Sequence, residues 1–256
     1  MEIYRKMQKL LADKAEKTRV EYLSLGLGYT AAVLSDGSTG IAFTYITGKD
    51  SCSLFHDSRD FEGAPTSQLL ELLFSENLVE RSAALAAVNA LNHTRALHFR
   101  EDTDSLLDDF NIKKGDTLAM AGYFGPVAAK IEAAGASLRV HDMGKGIGEK
   151  EEFYRFLESG EAKGLVFTST SVINGTTEEV LSHLHGETPC ALLGPTTPML
   201  PEVFEHLPVD YLGGIVPLEK DLLLKAVRSG RGTRAILKAS KKIYYSRSGD
   251  DIPAFE

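Results

Sequence analysis

The segment TSTSVINGTT, residues 168–177, places a run of hydroxyl and amide side chains between a strand-like run and a helix-like run. An ordinary connection needs only a few turn-forming residues, so this run is longer than a turn requires. A second polar loop, GPTTPMLP at residues 194–201, follows the next predicted strand. If the two loops face one another, they form the walls of a pocket that hydrogen-bonds a polar small molecule. The alternative is that these residues serve only as turn formers.

Three predicted helices differ in how well their N-termini suit an anion. A helix N-terminus offers free N–H groups and a partial positive charge. The helices predicted after Thr176 and Pro201 carry acids in their first turns, and these acids repel a phosphate. The helix predicted after GYFG, residues 122–125, has no acid there, although Pro126 removes one donor. A phosphate or carboxylate group of a ligand is therefore expected at residues 122–125.

Asp142 ends the second predicted strand of this region, 20 positions after Gly122. In nucleotide-binding units an acid at this place holds ribose hydroxyls. The sequence GYFGPV is not the dinucleotide pattern GxGxxG, and Tyr123 and Phe124 crowd a pyrophosphate. An S-adenosylmethionine-like ligand is therefore favoured slightly over NAD, and a solvated acid at a strand end is the alternative. His141 is the histidine expected nearest a cleft.

Metal-binding and hydrolase signatures are weak. Cys52 and Cys190 lie far apart and no CxxC is present, which disfavours thiolate metal sites and redox dithiols. Cys52 and His56 have a C-x3-H spacing, but no further ligand flanks them. No GxSxG pattern occurs. Asn89 lies on an otherwise apolar helix face, where it either makes a helix-packing hydrogen bond or points into an inter-domain cleft.

The bulk composition narrows the class of protein. The chain has 256 residues, 43% of them hydrophobic and 25% charged, and a net charge of −8, which is ordinary for a globular protein. The acidic balance argues against nucleic-acid binding, which needs a basic surface. No apolar run approaches the ~18 residues of a membrane helix. The amphipathic N-terminus does not resemble a signal peptide, so a cytoplasmic protein is expected.

The first portion is predicted to be a small α+β unit. Residues 2–17 form an amphipathic helix, and residues 19–46 read as a three-stranded meander with an Asp-Gly hairpin. An irregular segment is expected at 47–64, followed by helices at 67–74 and from Asn77. Glu80 lies three residues after Asn77, in a capping arrangement. The alanine-rich helix 77–92 either packs on the meander or forms the face of a homodimer.

From Gly115 onward, strands and helices alternate. This order predicts right-handed βαβ units and a doubly wound parallel sheet. A polar, acidic stretch at residues 100–114 marks the boundary, which gives domains at 1–105 and 112–256. Ligands of such sheets bind beyond the carboxyl ends of the strands. Both polar loops follow predicted strands and are therefore expected at this edge.

Several motifs together resemble a known family. They are GYTAAV (28–33), ENLVERSAALAAVNALNH (76–93), MAGYFGPVAAKIE (120–132), FTSTSVINGTTEEVL (167–181) and LLGPTTPMLPEVFEHLPVDYLGGIVPLEKD (192–221). The family is the one named "putative heavy-metal chelation", and the resemblance spans nearly the whole chain. It implies an enolase-N-terminal-like domain joined to a Rossmann-like domain, with a site in the cleft between them.

The resemblance implies a set of ligand-binding candidates. Carried over by motif, they are Asn89, Gly122, Tyr123, Phe124, Thr168, Ser169, Asn174, Gly175, Gly194, Pro195, Thr196 and Thr197. Asp142 joins them on the strand-end argument. Hydroxyls and amides are poor ligands for soft metals, so a metal is expected to arrive bound to a small organic chelator.

The leading hypothesis is a protein that binds a polar small molecule or a metal chelate between its two domains. The candidate cofactor is a metal ion or a metal chelate. The alternative is an enzyme that uses an adenosine-containing cofactor, S-adenosylmethionine-like or NAD-like. The sequence identifies no catalytic residue, and whether the protein is an enzyme stays open.

Overall fold

The computed structural model describes residues 1–46, 54–103 and 105–255. The predicted first helix is α1 (Glu2–Lys17). Its side chains Ile3, Met7 and Leu11 recur every four residues and are fully buried, while the opposite face is charged. This amphipathic helix therefore lies with one face on the core, as the sequence pattern predicts.

The predicted meander is confirmed as a three-stranded antiparallel sheet. Its strands, in spatial order, are β1 (Val20–Leu25), β2 (Tyr29–Leu34) and β3 (Thr39–Phe43). The Asp-Gly pair turns the second hairpin, since Gly37 has a φ of +82° and the Asp36 carboxylate accepts the Ser38 N–H at 3.0 Å. Residues 54–64, the described part of the predicted irregular segment, contain no helix or strand.

The next helices follow as predicted, with one correction to the cap. They are α2 (Thr66–Leu70), which continues into a 3-10 turn at Glu71–Phe74, α3 (Leu78–Leu91) and α4 (His93–Ala96). Asn77 caps α3 by accepting the N–H of Val79 at 2.9 Å. Glu80 does not complete a reciprocal cap. Its carboxylate instead accepts the N–H groups of His56 and Asp57, each at 2.8 Å, and thereby fixes the preceding segment.

Helix α3 is buried on nearly every side and packs directly on β2 and β3. Gly40 of β3 permits this contact. A Cβ there would lie 2.1 Å from the backbone nitrogen of Ala90 and 2.3 Å from the carbonyl oxygen of Ala86. The prediction that the alanine-rich helix packs on its own meander is therefore confirmed. A homodimer through another surface stays a prediction, which size-exclusion chromatography with light scattering would test.

The second portion forms a seven-stranded, mostly parallel sheet. Its strands are β4 (Arg100–Glu101), β5 (Thr117–Ala121), β6 (Ser137–His141), β7 (Leu165–Thr168), β8 (Cys190–Leu193), β9 (Tyr211–Pro217) and β10 (Ser240–Ser246). The spatial order is β4-β10-β9-β8-β7-β5-β6. Strands β6, β5, β7, β8 and β9 run parallel, as predicted. The strand β10 runs antiparallel to β9, and β4 runs antiparallel to β10.

Helices cover both faces of this sheet. They are α5 (Leu106–Asp109), α6 (Gly125–Ala133), α7 (Lys150–Glu158), α8 (Thr170–Asn174), α9 (Thr177–Ser182), α10 (Pro201–Phe204), α11 (Lys220–Arg228) and α12 (Thr233–Lys238). Strand β5 shows the division: Leu118 and Met120 pack with α5 and α6, whereas Ala119 and Ala121 pack toward α7. The doubly wound arrangement and the predicted α/β fold class are thereby confirmed.

The two portions share one hydrophobic core. Side chains of α1 and α3 belong to the same buried cluster as Phe167 of β7 and Leu192 of β8. The other face of the small sheet packs on α11 and α12, through side chains such as Tyr29 and Val33 against Val227 and Ile236. The small unit is thus held on both faces. Among the described residues, no helix has both the length and the apolarity needed to span a membrane.

Candidate functional site

A cavity of about 620 Å³ lies between the two portions of the chain. Its lower wall is made by the carboxyl ends of β5, β6 and β7 and by the loop that follows β8. Its upper wall is made by Tyr29, Phe43 and Tyr45 of the small unit. This is where an open parallel sheet ordinarily binds ligands. The two polar loops, predicted to face one another, both line the cavity.

The hydroxyl-rich stretch is only partly the loop that the sequence predicts, because the short helix α8 forms within it before the predicted helix α9. Residues 170–174 and 177–182 form the short helices α8 and α9, and Gly175 joins them with a φ of +81°. Several of its polar groups stabilise this turn. Asn174 Oδ1 accepts the N–H of Thr176 at 3.1 Å, and the hydroxyls of Ser171 and Thr177 share a hydrogen bond of 2.8 Å. For these residues the turn-forming alternative describes the structure.

The small unit fixes this stretch from above. The Tyr4 hydroxyl donates to the carbonyl oxygen of Val172, and Arg81 Nη1 donates to that of Ile173 at 3.1 Å. Glu178 of α9 accepts the N–H groups of Glu2 and Ile3, and so caps α1. The cavity floor is therefore positioned by contacts from the other portion of the chain.

The end of β7 places two hydroxyls between two glycines. A Cβ at Gly122, after β5, would lie 2.6 Å from Thr168 Cγ2, and a Cβ at Gly194, after β8, would lie 2.6 Å from Ser169 Oγ. Ser169 is 1% exposed and its Oγ has no hydrogen-bond partner among the described residues. A buried hydroxyl without a partner is costly. Ser169 is among the residues that line the cavity, and its Oγ faces Gly194 at the end of β8.

Replacing Gly194 with alanine should destabilise the protein by about 2 kcal/mol, because its φ of +136° strains any other residue and the new methyl group meets Ser169 Oγ. In urea unfolding, the double variant Gly194→Ala/Ser169→Ala should recover part of this loss, since the remaining contact with Ser169 Cβ is an ordinary 3.7 Å. Strict additivity of the two single variants would show that the two residues do not touch.

Of the two roles predicted for Asp142, the structure bears only on the solvated acid, and the ribose-binding role stays a prediction. Asp142 is not a solvated acid, since Oδ2 accepts the N–H of Tyr123 at 2.8 Å and Oδ1 accepts the N–H of Lys145 at 3.0 Å. These bonds join the GYFG turn to the turn after β6. The carboxylate thus takes the position at which an anionic group was expected, although it still lines the cavity.

The other charged groups of the cavity are paired. Lys150 Nζ lies 2.6 Å from Glu179 Oε1, and this bond holds the pKa of Glu179 below its usual range. Burial, with the added charge of Glu179, raises the pKa of the Tyr154 hydroxyl to about 12. Tyr154 therefore stays protonated at neutral pH and can only donate or accept hydrogen bonds as a neutral phenol.

Most of the predicted ligand-binding residues line the cavity, and three do not. The lining residues are Gly122, Tyr123, Phe124, Asp142, Thr168, Ser169, Asn174, Gly194, Pro195 and Thr196. Asn89 instead donates to the carbonyl oxygens of Ile41 and Thr196, at 2.8 and 3.3 Å, so the helix-packing alternative describes it. Thr197 is buried and donates to Gly213, and Gly175 joins two helices beside Met1 and Arg81.

The sequence did not reveal the aromatic side of the cavity. Among the described residues, seven Phe or Tyr side chains line it, including Tyr29, Phe43 and Tyr45. These three form an edge-to-face series with centroids 6.1 Å apart. Tyr29 lies in the GYTAAV motif, whereas Phe43 and Tyr45 lie in none of the motifs that resemble the family. Alternating aromatic residues at the end of a strand were the only available signal.

The described lining of the cavity includes three side chains of types that bind metal ions, His141, Asp142 and Glu179. Among residues 1–46, 54–103 and 105–255, no group of three His, Cys, Asp or Glu side chains is arranged to hold one. Cys190 lies within β8, where burial raises the pKa of its thiol well above the usual value and disfavours thiolate. His141 lines the cavity, with Nδ1 2.9 Å from the carbonyl oxygen of Gly148. Cys52 lies outside the described residues.

Comparison with known proteins identifies relatives of the whole chain. A family model described as "Putative heavy-metal chelation" matches residues 105–246, and a second with the same description matches residues 8–92. An uncharacterised protein of Methanocaldococcus jannaschii is 22% identical over 254 residues, covering 94% of this chain and 95% of that protein.

Two solved structures share the fold. One is a protein with unknown function from the DUF364 family of Pyrococcus horikoshii, with a TM-score of 0.78 at 20% identity, covering 96% of this chain and 100% of that one. The other, from the same family in Desulfitobacterium hafniense, has a TM-score of 0.74 at 20% identity, covering 94% and 99% of the two chains. At this identity they show the fold alone.

Proposed function

Because the chain belongs to the family described as "Putative heavy-metal chelation", as its motifs predicted, we propose that its inter-domain cavity binds a polar small molecule or a metal chelate. The observation that carries this proposal is Ser169 Oγ, a buried hydroxyl without a partner among the described residues, on the wall of a cavity of about 620 Å³. That volume suits a ligand of drug-like size.

The donor groups present support a chelate more than a bare ion. Asp142 and Glu179 are already bound to N–H and ammonium groups, and neutral hydroxyls are poor ligands for soft metals. A metal handled by this chain would therefore be cargo, held by the donor atoms of an organic molecule. The protein would contact that molecule through hydroxyls and aromatic rings.

One observation favours the second candidate, an enzyme with an adenosine-containing cofactor. Strands β6-β5-β7-β8-β9 correspond to the order 2-1-3-4-5, and the cavity lies at the switch point between β5 and β7. The hydrogen bonds of Asp142 limit its part in holding a ribose, because two of its roughly four acceptor sites are already taken by backbone N–H groups.

Thermal unfolding of Ser169→Ala tests the proposed site. Since Ser169 Oγ bonds no described group, the unliganded variant should melt at or above the wild-type temperature. Wild-type protein is screened against S-adenosylmethionine, NAD, nucleotides, citrate, and Ni²⁺ or Zn²⁺ with and without citrate. A bound ligand at about 100 times its Kd stabilises the fold by about 2.7 kcal/mol, and Ser169→Ala should lose most of that gain.

The matched control is Ser229→Ala, at the exposed end of α11 and outside the cavity. It should respond to ligand like the wild type. A ligand that stabilises wild type and Ser169→Ala equally binds elsewhere and contradicts the proposed site. Stabilisation by the metal ion alone, unchanged by citrate, would contradict the chelate form of the proposal.

A further inference from the structure

Building on the proposed function, we infer that the cavity selects a flat, nitrogen-containing ring that carries no phosphate group. This is the chemistry of a nucleoside rather than of a nucleotide. Three features support this inference. A carboxylate occupies the usual phosphate position, the charged side chains of the cavity are paired, and both portions of the chain contribute aromatic lining.

The usual phosphate position is already filled by a carboxylate of the chain. A sheet of this type places phosphate at the turn that leads from its first parallel strand into a helix, here from β5 into α6. Asp142 Oδ2 lies at this turn, 2.8 Å from the nitrogen of Tyr123, and Pro126 lacks an N–H at the second position of α6. A phosphate there would meet a negative charge and find two backbone donors fewer than a free helix N-terminus offers, so it would be repelled.

The cations of the cavity leave little attraction for a phosphate. Its charged lining residues, among those described, are two lysines and two carboxylates. Lys150 Nζ is 2.6 Å from Glu179, and Lys145 Nζ is 3.7 Å from Asp142. Lys145 also donates to the carbonyl oxygen of Tyr123 at 3.0 Å. With charges balanced in pairs, a neutral ligand displaces no ion pair and is favoured over a dianion.

The remaining lining suits a ring with a polar edge. Phe43 and Tyr45 come from the small unit, whereas Tyr123 lies in the turn after β5 and Tyr154 lies in α7. Aromatic side chains bind flat rings by offset stacking or edge-to-face contact. Ser169 Oγ can both donate and accept a hydrogen bond, which matches the mixed edge of a nitrogen heterocycle. A phosphate group at neutral pH only accepts hydrogen bonds, so it would use the donor capacity of the Ser169 hydroxyl and leave its acceptor capacity unused.

Isothermal titration calorimetry on the full chain tests the inference. The probes are adenosine, guanosine and uridine, their 5′-monophosphates, and two ringless molecules, citrate and sorbitol. At least one nucleoside should bind, and its monophosphate should bind at least about tenfold more weakly, a difference of about 1.4 kcal/mol. Asp142→Asn keeps an acceptor for the Tyr123 N–H but removes the negative charge. It should therefore reduce the difference in affinity between the nucleoside and its monophosphate. Ser169→Ala should weaken nucleoside binding.

The outcomes separate this inference from the proposed function. A monophosphate that binds as tightly as its nucleoside overturns the exclusion of phosphate. If no nucleoside binds at millimolar concentration, the inference fails, and binding of citrate or sorbitol in that case leaves the proposed function intact. If no probe binds in calorimetry and no ligand raises the melting temperature in the thermal screen, the result contradicts both the inference and the proposed function.

Discussion

Gly40→Ala should reduce the free energy of unfolding by about 4 kcal/mol or more, a loss reserved for severe changes in a packed core. The added Cβ would lie 2.1 Å from the nitrogen of Ala90, 2.3 Å from the oxygen of Ala86 and 2.6 Å from the carbonyl carbon of Asn89. These are backbone atoms of α3, so no side-chain rotation can relieve the contact. Urea unfolding followed by circular dichroism measures the loss.

The control for this variant is Gly232→Ala. Gly232 has no atom within 4 Å of a built Cβ, and its φ of −86° suits alanine. It precedes α12, and the substitution should change stability by less than about 1 kcal/mol. If Gly40→Ala unfolded like the control, the close approach of α3 to β3 would be wrong. The position of Asn89, which bonds both β3 and the loop after β8, would then be wrong as well.

The sequence predicted those parts of the fold that depend on local pattern. Helix α1 is evident from its four-residue spacing of apolar side chains, and the meander from its Asp-Gly turn. The alternation of strands and helices after Gly115 predicted the parallel sheet. The segment after Gly230 carried no such signal. Helix α12 and the antiparallel strand β10 are fixed by pairing with β9 and by packing on the small sheet, which no local pattern records.

The same distinction explains what could be predicted of the site. The rule that ligands bind at the carboxyl ends of parallel strands places Gly122, Thr168 and Gly194 at one edge of the sheet, where the structure has them, because parallel strands of one sheet all end at the same edge. The roles of Asp142 and Asn89 could not be assigned, since each depends on a hydrogen-bond partner distant in sequence. Whether a hydroxyl supports a turn, as Thr176 does, or lacks a partner, as Ser169 does, depends on tertiary packing.

The shared core has a consequence for ligand binding. Interfaces between independent domains are usually polar enough to permit relative motion, whereas here α1 and α3 are buried in the same cluster as β7 and β8. The walls of the cavity are therefore held by the core, and we expect a ligand to enter a largely preformed space. Contacts such as the bond from the Phe43 N–H to Thr196 Oγ1, at 2.9 Å, then set the shape of the cavity directly.

Arg95→Ala should cost about 3 kcal/mol, because it leaves a partly buried carboxylate without its partner. Arg95 is 3% exposed, and its Nη2 lies 2.5 Å from Oε1 of Glu202, whose side chain is 30% exposed. The pair joins α4 of the small unit to α10 of the large one. Arg95 also donates to the carbonyl oxygen of Pro253 at 2.6 Å, and its guanidinium lies 4.1 Å from the Phe255 ring.

Two further variants test whether the loss of stability comes from a buried charge left without a partner. Arg139→Ala removes an exposed ion pair with Glu152, 3.4 Å apart, and should cost less than about 1 kcal/mol in the same urea titration. Arg95→Met/Glu202→Leu replaces both charges by apolar groups of similar volume and should recover much of the loss, since no buried charge is then left unpaired. If Arg95→Ala were as mild as Arg139→Ala, water at the exposed part of the Glu202 side chain would be enough to replace Arg95 as its partner. The contact between α4 and α10 would then be less tightly packed than a shared hydrophobic core requires.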